Sequence, residues 1–315
     1  MVQRQSTDPA PHVAILMCTF NGASFIQEQL DSIATQTHQN WTLFVSDDGS
    51  TDDTLNLIED FAAKGHQVTL FDGPKEGGAE NYMSLLRKMD ISKTAMLAFC
   101  DQDDVWTNDR LARGIDALDT RPADVPALYC SGLWVTDDTL SNPRLYEPRR
   151  RTPGFRNALV QNIASGNTVL LNTSGAKLAI GQAAQAGQVV VHDWWLYQLV
   201  TGAGGSVIHD PEPTIYYRQH GQNQIGANDS VAAKRARLRM VLHGQFKAWN
   251  DTNIAALTRS KSALTPENAE LLEQFARLRT ESFWKRLKGF ARMGLYRQSP
   301  TGNLTLWVAI LFRKL

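Results

Sequence analysis

Cysteine is scarce in this chain: three residues, Cys18, Cys100 and Cys130, among 315. The count is odd, no Cys-x-x-Cys pair occurs, and each thiol lies at or near the end of an apolar run. A disulfide framework and a cysteine-based zinc site are therefore excluded, and reduced thiols in the cytoplasm are expected. Long apolar runs are also missing. No stretch reaches the roughly 18 residues a spanning helix needs, and the polar residues 1–12 lack the apolar core of a signal peptide. Charge of one sign is lacking too: 32 Lys and Arg balance 32 Asp and Glu. Nucleic acid is then not the expected partner, because such domains carry a basic excess. There is no Gly-x-Gly-x-x-Gly after a strand and no Walker Gly-Lys-Ser/Thr, which argues against a dehydrogenase or a P-loop enzyme. What remains is globular: 43% hydrophobic and 20% charged residues.

Short apolar runs alternate with polar turns and helical stretches. Val13-Ala14-Ile15-Leu16-Met17 leads into Cys18-Thr19-Phe20-Asn21-Gly22 and a helix over 24–34, with Ser24 and Gln27 as a capping box. Leu43-Phe44-Val45-Ser46 leads into Asp47-Asp48-Gly49-Ser50-Thr51-Asp52-Asp53, where Ser50 and Asp53 form a second box. Further strands are expected near 68 and 96. The alternation predicts an α/β layered sheet, mostly parallel and flanked by helices. In such a sheet, ligands bind beyond the carboxyl ends of the strands.

The run Met96-Leu97-Ala98-Phe99 is followed by Cys100-Asp101-Gln102-Asp103-Asp104-Val105-Trp106. Three carboxylates within four positions repel one another, and folding does not require them there. A hard divalent cation relieves that repulsion; the alternative is a solvated turn opening a helix over 109–118. Asp193 follows Val189-Val190-Val191 and precedes a helix over 194–200. It is either a helix cap or, beside His192, Trp194 and Trp195, a functional carboxylate.

Cys18 to Gly22, Asp47 to Ser50, Asp101 to Trp106 with Asn108-Asp109-Arg110-Leu111, Asn162 to Thr168, His192 to Trp195 and Tyr217 to Asn223 appear in the order found in family 2 glycosyltransferases. The chain resembles that family over about residues 12–228. Within it, the pattern is similar to bacterial surface-polysaccharide enzymes, rhamnosyltransferases among them. The resemblance implies a GT-A nucleotide-sugar fold and an inverting, metal-dependent glycosyl transfer. The donor is a nucleoside-diphosphate sugar, dTDP-rhamnose by subgroup or else a UDP-sugar. The acceptor is a growing bacterial surface glycan, free or lipid-linked.

The resemblance also assigns roles. Asp48 binds the donor base, Thr19 and Asn21 line the nucleotide site, and Asp101 lies near the ribose and the metal. Asp103 and His220 ligate Mn²⁺ or Mg²⁺, with Asp101 and Asp104 as alternative ligands in an acidic run that offers two registers. Arg218 faces the diphosphate. Asp193 is the general base, and Gly166, Asn167 and Trp194 lie on the acceptor side. A Gln-x-x-Arg-Trp motif of processive synthases is absent, so single-residue transfer is expected. Two other readings stay open here. A sugar-phosphate nucleotidyltransferase would share the fold but release pyrophosphate. A non-catalytic sugar-nucleotide-binding subunit would not depend on Asp193.

Residues 1–228 are expected to form the transferase domain and 229–315 a helical, basic and amphipathic C-terminal extension. Two helices are read over 230–280, separated before Thr265 and Pro266, which supply a cap and a first-turn proline. From 283 to 315 there are seven Lys or Arg and no Asp or Glu. Basic and apolar residues interleaved in this way suit either a helix on the anionic inner face of the cytoplasmic membrane or a helix docked on the core or a partner chain. Residues 142–156, rich in Pro and Arg, are read as a loop.

Overall fold

The first half of the chain folds as the alternation predicts. Its strands β1 (Val13–Thr19), β2 (Trp41–Asp47), β3 (Val68–Asp72) and β4 (Met96–Cys100) are interleaved with α1 (Ile26–Ala34), α2 (Thr54–Ala63) and α3 (Gly78–Lys88). The computed structural model describes residues 10–90, 92–93, 96–146, 150–221 and 244–315. Expectations for 1–9, for 222–223 and for the helical stretch over 230–243 lie outside the described residues.

The four strands run parallel in the order β3-β2-β1-β4. Val13 to Met17 are all buried because both faces of β1 are covered. Ala14 and Leu16 face side chains of α3; Val13, Ile15 and Met17 face those of α1 and α2. Covering on both sides is why β1 and β4 read as continuous apolar runs rather than as alternating ones, whereas the edge strand β3 is largely exposed.

The chain continues through β5 (Val105–Trp106), α4 (Arg110–Leu118), β6 (Ala127–Thr136), β7 (Arg144–Leu145) and α5 (Phe155–Ala158). A 3₁₀ turn (Gly166–Thr168), β8 (Leu170–Leu171), α6 (Thr173–Ala186), α7 (His192–Gly202) and β9 (Ser206–Arg218) follow. Beyond β4 the sheet becomes mixed. β8 pairs antiparallel with β4 and β6, β9 runs parallel to β6, and β5 lies antiparallel on β9. β7 pairs with Trp134 and Val135 of β6, so part of the expected 142–156 loop is a strand.

Neither expected capping box forms. α1 and α2 begin at Ile26 and Thr54 with no side-chain cap. Ser50 Oγ instead donates to Asp47 Oδ1 (2.6 Å), and Asp47 Oδ2 accepts from the N–H groups of Gly49 (3.0 Å) and Ser50 (2.8 Å). A carboxylate at the strand end reaches these turn donors before the helix can use them. Thr265 does cap its helix: Oγ1 accepts from Asn268 N at 3.2 Å, with Pro266 in the first turn.

Four helices follow among the described residues from 244 onward: α8 (Gln245–Arg259), α9 (Pro266–Leu278), α10 (Phe283–Met293) and α11 (Pro300–Leu311). They share a third apolar cluster with Phe155, Leu159 and Trp194. Among the described residues, no helix is long and apolar enough to cross a membrane.

Candidate active site

Strand register brings the polar turns together. Thr19 pairs with Asp47, and Met17 with Cys100. The carboxyl ends of β1, β2 and β4 are therefore level, and the segments that follow them emerge along one edge of the sheet. Thr19 Oγ1 donates to Asp47 Oδ1 (2.8 Å). Asn21 sits at φ 48°; its N–H donates to Ser50 Oγ and its Oδ1 accepts from Thr51 N, both at 2.8 Å. Asp48 accepts from Lys75 N (2.6 Å) and Gly77 N (2.8 Å), so it organises the turn after β3. Thr19, Asn21 and Asp48 thus stand side by side, knitted to one another's loops. Phe20 projects above them and is 56% exposed. Its backbone is clamped by Gln102, which accepts from Phe20 N (2.9 Å) and donates to Phe20 O (3.1 Å). A Cβ at Gly22 would meet the amide of Gln102, so a side chain there would displace this clamp.

Asp101, Asp103 and Asp104 each offer an oxygen within 4.8 Å of the others. Burial, then the charge of Asp103, pushes Asp101 up to about 7, and a hydrogen bond from Tyr82 Oη (3.0 Å) opposes the rise. Burial and the two neighbouring carboxylates raise Asp104 as well. Asp104 Oδ1 accepts from Arg218 N (3.2 Å) and Oδ2 from the Asn167 amide. Both of its oxygens are engaged, which leaves Asp101 and Asp103 as the more open pair. His220 Nε2 lies 2.8 Å from Asp103 Oδ2, and its ring rests on Phe25 with centroids 4.6 Å apart. Desolvated carboxylates with little compensating positive charge, beside an imidazole, fit a divalent cation that takes oxygen and nitrogen ligands.

Asp193 lies in the first turn of α7. Its Oδ2 accepts from Gly166 N (2.9 Å) and Oδ1 from Trp194 N (2.6 Å). Desolvation pushes it up to about 6, against the lowering effect of hydrogen bonds from Trp194, Asn162 and Gly166. A Cβ on Gly166 would lie 2.8 Å from His192 Nε2 and 3.5 Å from Asp193 Cβ, so only glycine lets this turn approach. His192 is buried and held neutral, its pKa lowered by desolvation to about 3. It stacks on Tyr82 at 3.8 Å. The two acidic regions are thus linked twice. Tyr82 bonds Asp101 and stacks on the residue preceding Asp193. The Gly166–Thr168 turn bonds Asp193 through Gly166 and Asp104 through Asn167. The charge of Asp193 is near enough to contribute to the raised pKa of Asp101.

Three expected positions differ from the structure. Arg218 does not present its charge to a diphosphate. Its side chain is 3% exposed, and it donates to Glu28 Oε2 (2.6 Å), Asp138 O (2.5 Å) and Asp103 O (2.9 Å). β9 delivers it beneath the acidic loop, where carbonyls need donors. Trp194 is not an acceptor platform: it is 5% exposed and donates Nε1–H to Ala158 O (2.7 Å), within the third apolar cluster. Asn167 is buried beneath the cleft, bracing Asp104 rather than lining the acceptor side. Tyr82, Gln102 and Asn162 were not anticipated as site residues. Tyr82 reads in sequence as one more apolar position of α3, and Gln102 as a spacer between acids. Asn162 stood within the motif, with nothing to tell it from its neighbours.

The glycosyl transferase family 2 model matches residues 14–168. The dTDP-rhamnosyl transferase RfbG of Shigella flexneri is 33% identical over 242 residues, 73% of this chain and 81% of that protein. The fold is similar to that of S. aureus TarS 1–349 in complex with UDP-GlcNAc, with TM-score 0.50, 15% identity and 90% of each chain covered. It is also similar to the mannosyltransferase PcManGT from Pyrobaculum calidifontis in complex with GDP-Man and Mn²⁺. There the TM-score is 0.50 and the identity 19%, over 96% of this chain and 86% of that one. The nucleotidyltransferase and binding-only readings find no support here, and the β1 turn holds Phe20-Asn21-Gly22 instead of a Gly- and Arg-rich phosphate loop. The chain belongs to glycosyltransferase family 2 and is a glycosyltransferase with the GT-A fold.

Proposed function

We propose that this enzyme transfers one sugar, with inversion, from a nucleoside-diphosphate donor to a hydroxyl of a growing bacterial surface glycan. The observation that carries the reading is the double link, through Tyr82–His192 and through the Gly166–Thr168 turn, between the Asp193 carboxylate and the acidic loop. That link supports reading Asp193 as a proton acceptor near a site suited to a diphosphate.

The nucleotide occupies the edge formed by Thr19, Asn21 and Asp48, with Phe20 as an apolar face. Asp101 and Asp103 hold a divalent cation, Mn²⁺ or Mg²⁺, with His220 beside Asp103. When bound, it supplies charge stabilisation to the departing nucleoside diphosphate. Asp193 accepts the proton of the acceptor hydroxyl as that oxygen attacks the anomeric carbon. The carbon–oxygen bond to the diphosphate breaks, through an oxocarbenium-like state of the kind seen in glycoside hydrolysis. A single displacement inverts the anomeric centre. Gly166 keeps space open beside the base, and neutral His192 fills the gap behind it without competing for the proton.

The relative from Shigella supports dTDP-rhamnose as donor. The acceptor is a glycan, free or lipid-linked, and the enzyme works in the cytoplasm or at the inner face of the cytoplasmic membrane. The division proposed at residue 228 gives the transferase domain, followed by a helical extension.

The deciding experiment combines two measurements. Thermal stabilisation by dTDP-, UDP- and GDP-sugars is compared with and without Mn²⁺ or Mg²⁺, since a selective ligand raises stability by mass action. Asp193→Asn is then assayed for nucleoside diphosphate release. The reading requires cation-dependent stabilisation that Asp193→Asn retains, with turnover lost. Equal turnover in the variant refutes it.

A further inference from the structure

The described residues expose nine large apolar side chains, and six of them lie on α10 and α11 or directly after: Phe283, Trp284, Leu304, Trp307, Leu311 and Phe312. Apolar side chains scattered singly over a surface need no explanation, whereas a gathered patch marks a contact site. α11 shows why they gather. Between Pro300 and Leu311 it carries no charged residue. Leu306, Ala309 and Ile310 face the core, while Leu304, Trp307 and Leu311, followed by Phe312, form a second apolar stripe facing outward. A helix that is apolar all round is normally covered on every side. Here the core covers one side only.

The neighbouring helix carries exposed aromatic and basic side chains. On α10, Trp284, Lys288 and Arg292 follow one another at four-residue spacing, all exposed, with Phe283 and Lys285 alongside. The two helices are fastened into one hairpin. Trp307 packs edge-on against Phe290 with centroids 4.7 Å apart. Arg286 donates to Ile310 O (2.9 Å) and Leu311 O (3.4 Å), and its guanidinium lies 5.9 Å over the Phe283 ring. The apolar stripe of α11 is therefore joined to the aromatic start of α10 through Arg286.

We infer that the outward face of the α10–α11 hairpin docks on a lipid surface rich in anionic headgroups. Aromatic and aliphatic side chains enter the headgroup–acyl boundary, and Lys285, Lys288, Arg292 and Arg313 meet the headgroup phosphates. A second copy of the chain is a poorer occupant. A two-fold contact sets the same patch against itself, and residues 283–315 contain seven basic and no acidic residues. Like charges would then face one another.

The hairpin is also tied to the catalytic cleft. Its connecting loop is held by Asn157 Nδ2 to Tyr296 O (2.9 Å), Arg297 Nε to Val160 O (3.1 Å) and Gln298 N to Gln161 Oε1 (2.8 Å). Residues 157–161 run directly into the segment whose Gly166 N–H holds Asp193. Docking therefore anchors the segment that holds Asp193 to the lipid-bound hairpin. This consequence rests on the proposed glycosyl transfer; the docking itself does not.

The test is flotation of the full-length protein with vesicles of phosphatidylcholine alone or mixed with phosphatidylglycerol. The wild type floats with the mixed vesicles, less so as salt rises, and not with the neutral ones. Trp284→Ser combined with Phe312→Ser lowers partitioning by about tenfold or more, from the apolar burial lost. Lys285→Glu combined with Lys288→Glu lowers it similarly by reversing the electrostatic attraction. Unchanged melting temperatures show that the variants are folded. Absence of flotation, equal flotation with neutral vesicles, or flotation unaffected by both double variants overturns the inference. So does a wild-type dimer that Trp284→Ser with Phe312→Ser separates while neither protein floats. Flotation of a preparation that lacks transferase activity supports the docking and counts against the catalytic reading alone.

Discussion

Lowering the pH should switch off turnover through one identifiable carboxylate. Desolvation in the first turn of α7 holds Asp193 at about 6, above the usual aspartate range. As a general base it works only when ionised. At about pH 7 roughly nine-tenths of it is ionised, and at about pH 5 just under one-tenth, so kcat should fall about tenfold between them. Asp193→Asn should lower kcat by about 10²–10⁴-fold at neutral pH and remove this dependence. The variant should still fold and bind donor. The carboxylate accepts from Gly166 N through Oδ2 and from Trp194 N through Oδ1; the single amide oxygen of Asn keeps one of these bonds and loses the other, at a cost of about 1–3 kcal/mol that a folded domain can bear. The assay is nucleoside diphosphate release at saturating donor and acceptor across this pH range, with donor affinity measured separately. A wild-type profile that stays flat from about pH 7 to about pH 5, or a variant that turns over normally, would sink the assignment of Asp193 as base.

Other outcomes follow from the same geometry. His220→Ala removes the imidazole 2.8 Å from Asp103; Mn²⁺-dependent donor binding should weaken while cation-independent nucleotide binding persists, and unchanged cation titrations would rule out its role. Gly166→Ala places a methyl group against His192 Nε2. It should cost about 1–3 kcal/mol in denaturant melts, as overpacking does, and lower kcat far more than donor affinity. In cation-free protein, Asp101 has a raised folded-state pKa of about 7. The folded chain then holds that proton more tightly than the unfolded chain, so the contribution to stability is full below about pH 4 and is lost as pH rises through about 7. Buried neutral His192 contributes the opposite slope, so the readout is the difference between wild type and Asp101→Asn: the wild type's advantage should shrink as pH rises across this window, and Mn²⁺ should restore it at the upper end. A cation-free difference that grows steadily with pH would contradict the sign.

The parts of this protein legible in its sequence are those decided within a few residues. β1 and β4 appear as continuous apolar runs because both of their faces are covered, and that demand is written at every position of Val13 to Met17 and of Met96 to Cys100. The proline and threonine that start α9 act on their own helix turn. The acidic loop stands out because three carboxylates in four positions repel wherever they are placed. The basic balance of residues 283–315 is likewise a matter of counting.

Only the tertiary structure decided which of these groups are available. The capping boxes failed because Asp47, at the end of a strand, reached the turn donors first. Asp104 and Asp101 look equivalent in sequence. They differ because Asn167, 63 residues away, and Arg218, 114 residues away, occupy Asp104. Arg218 carries the right charge for a diphosphate, yet it is drawn inward by carbonyls and by Glu28, 190 residues distant. The closeness of Asp193 to the acidic loop depends on a tyrosine, a histidine and a glycine turn from three separate segments. Local patterns specify elements because propensity and burial act over one turn or one strand. Hydrogen-bond partners and desolvation are set by whatever the fold brings alongside, and no short-range rule carries that information.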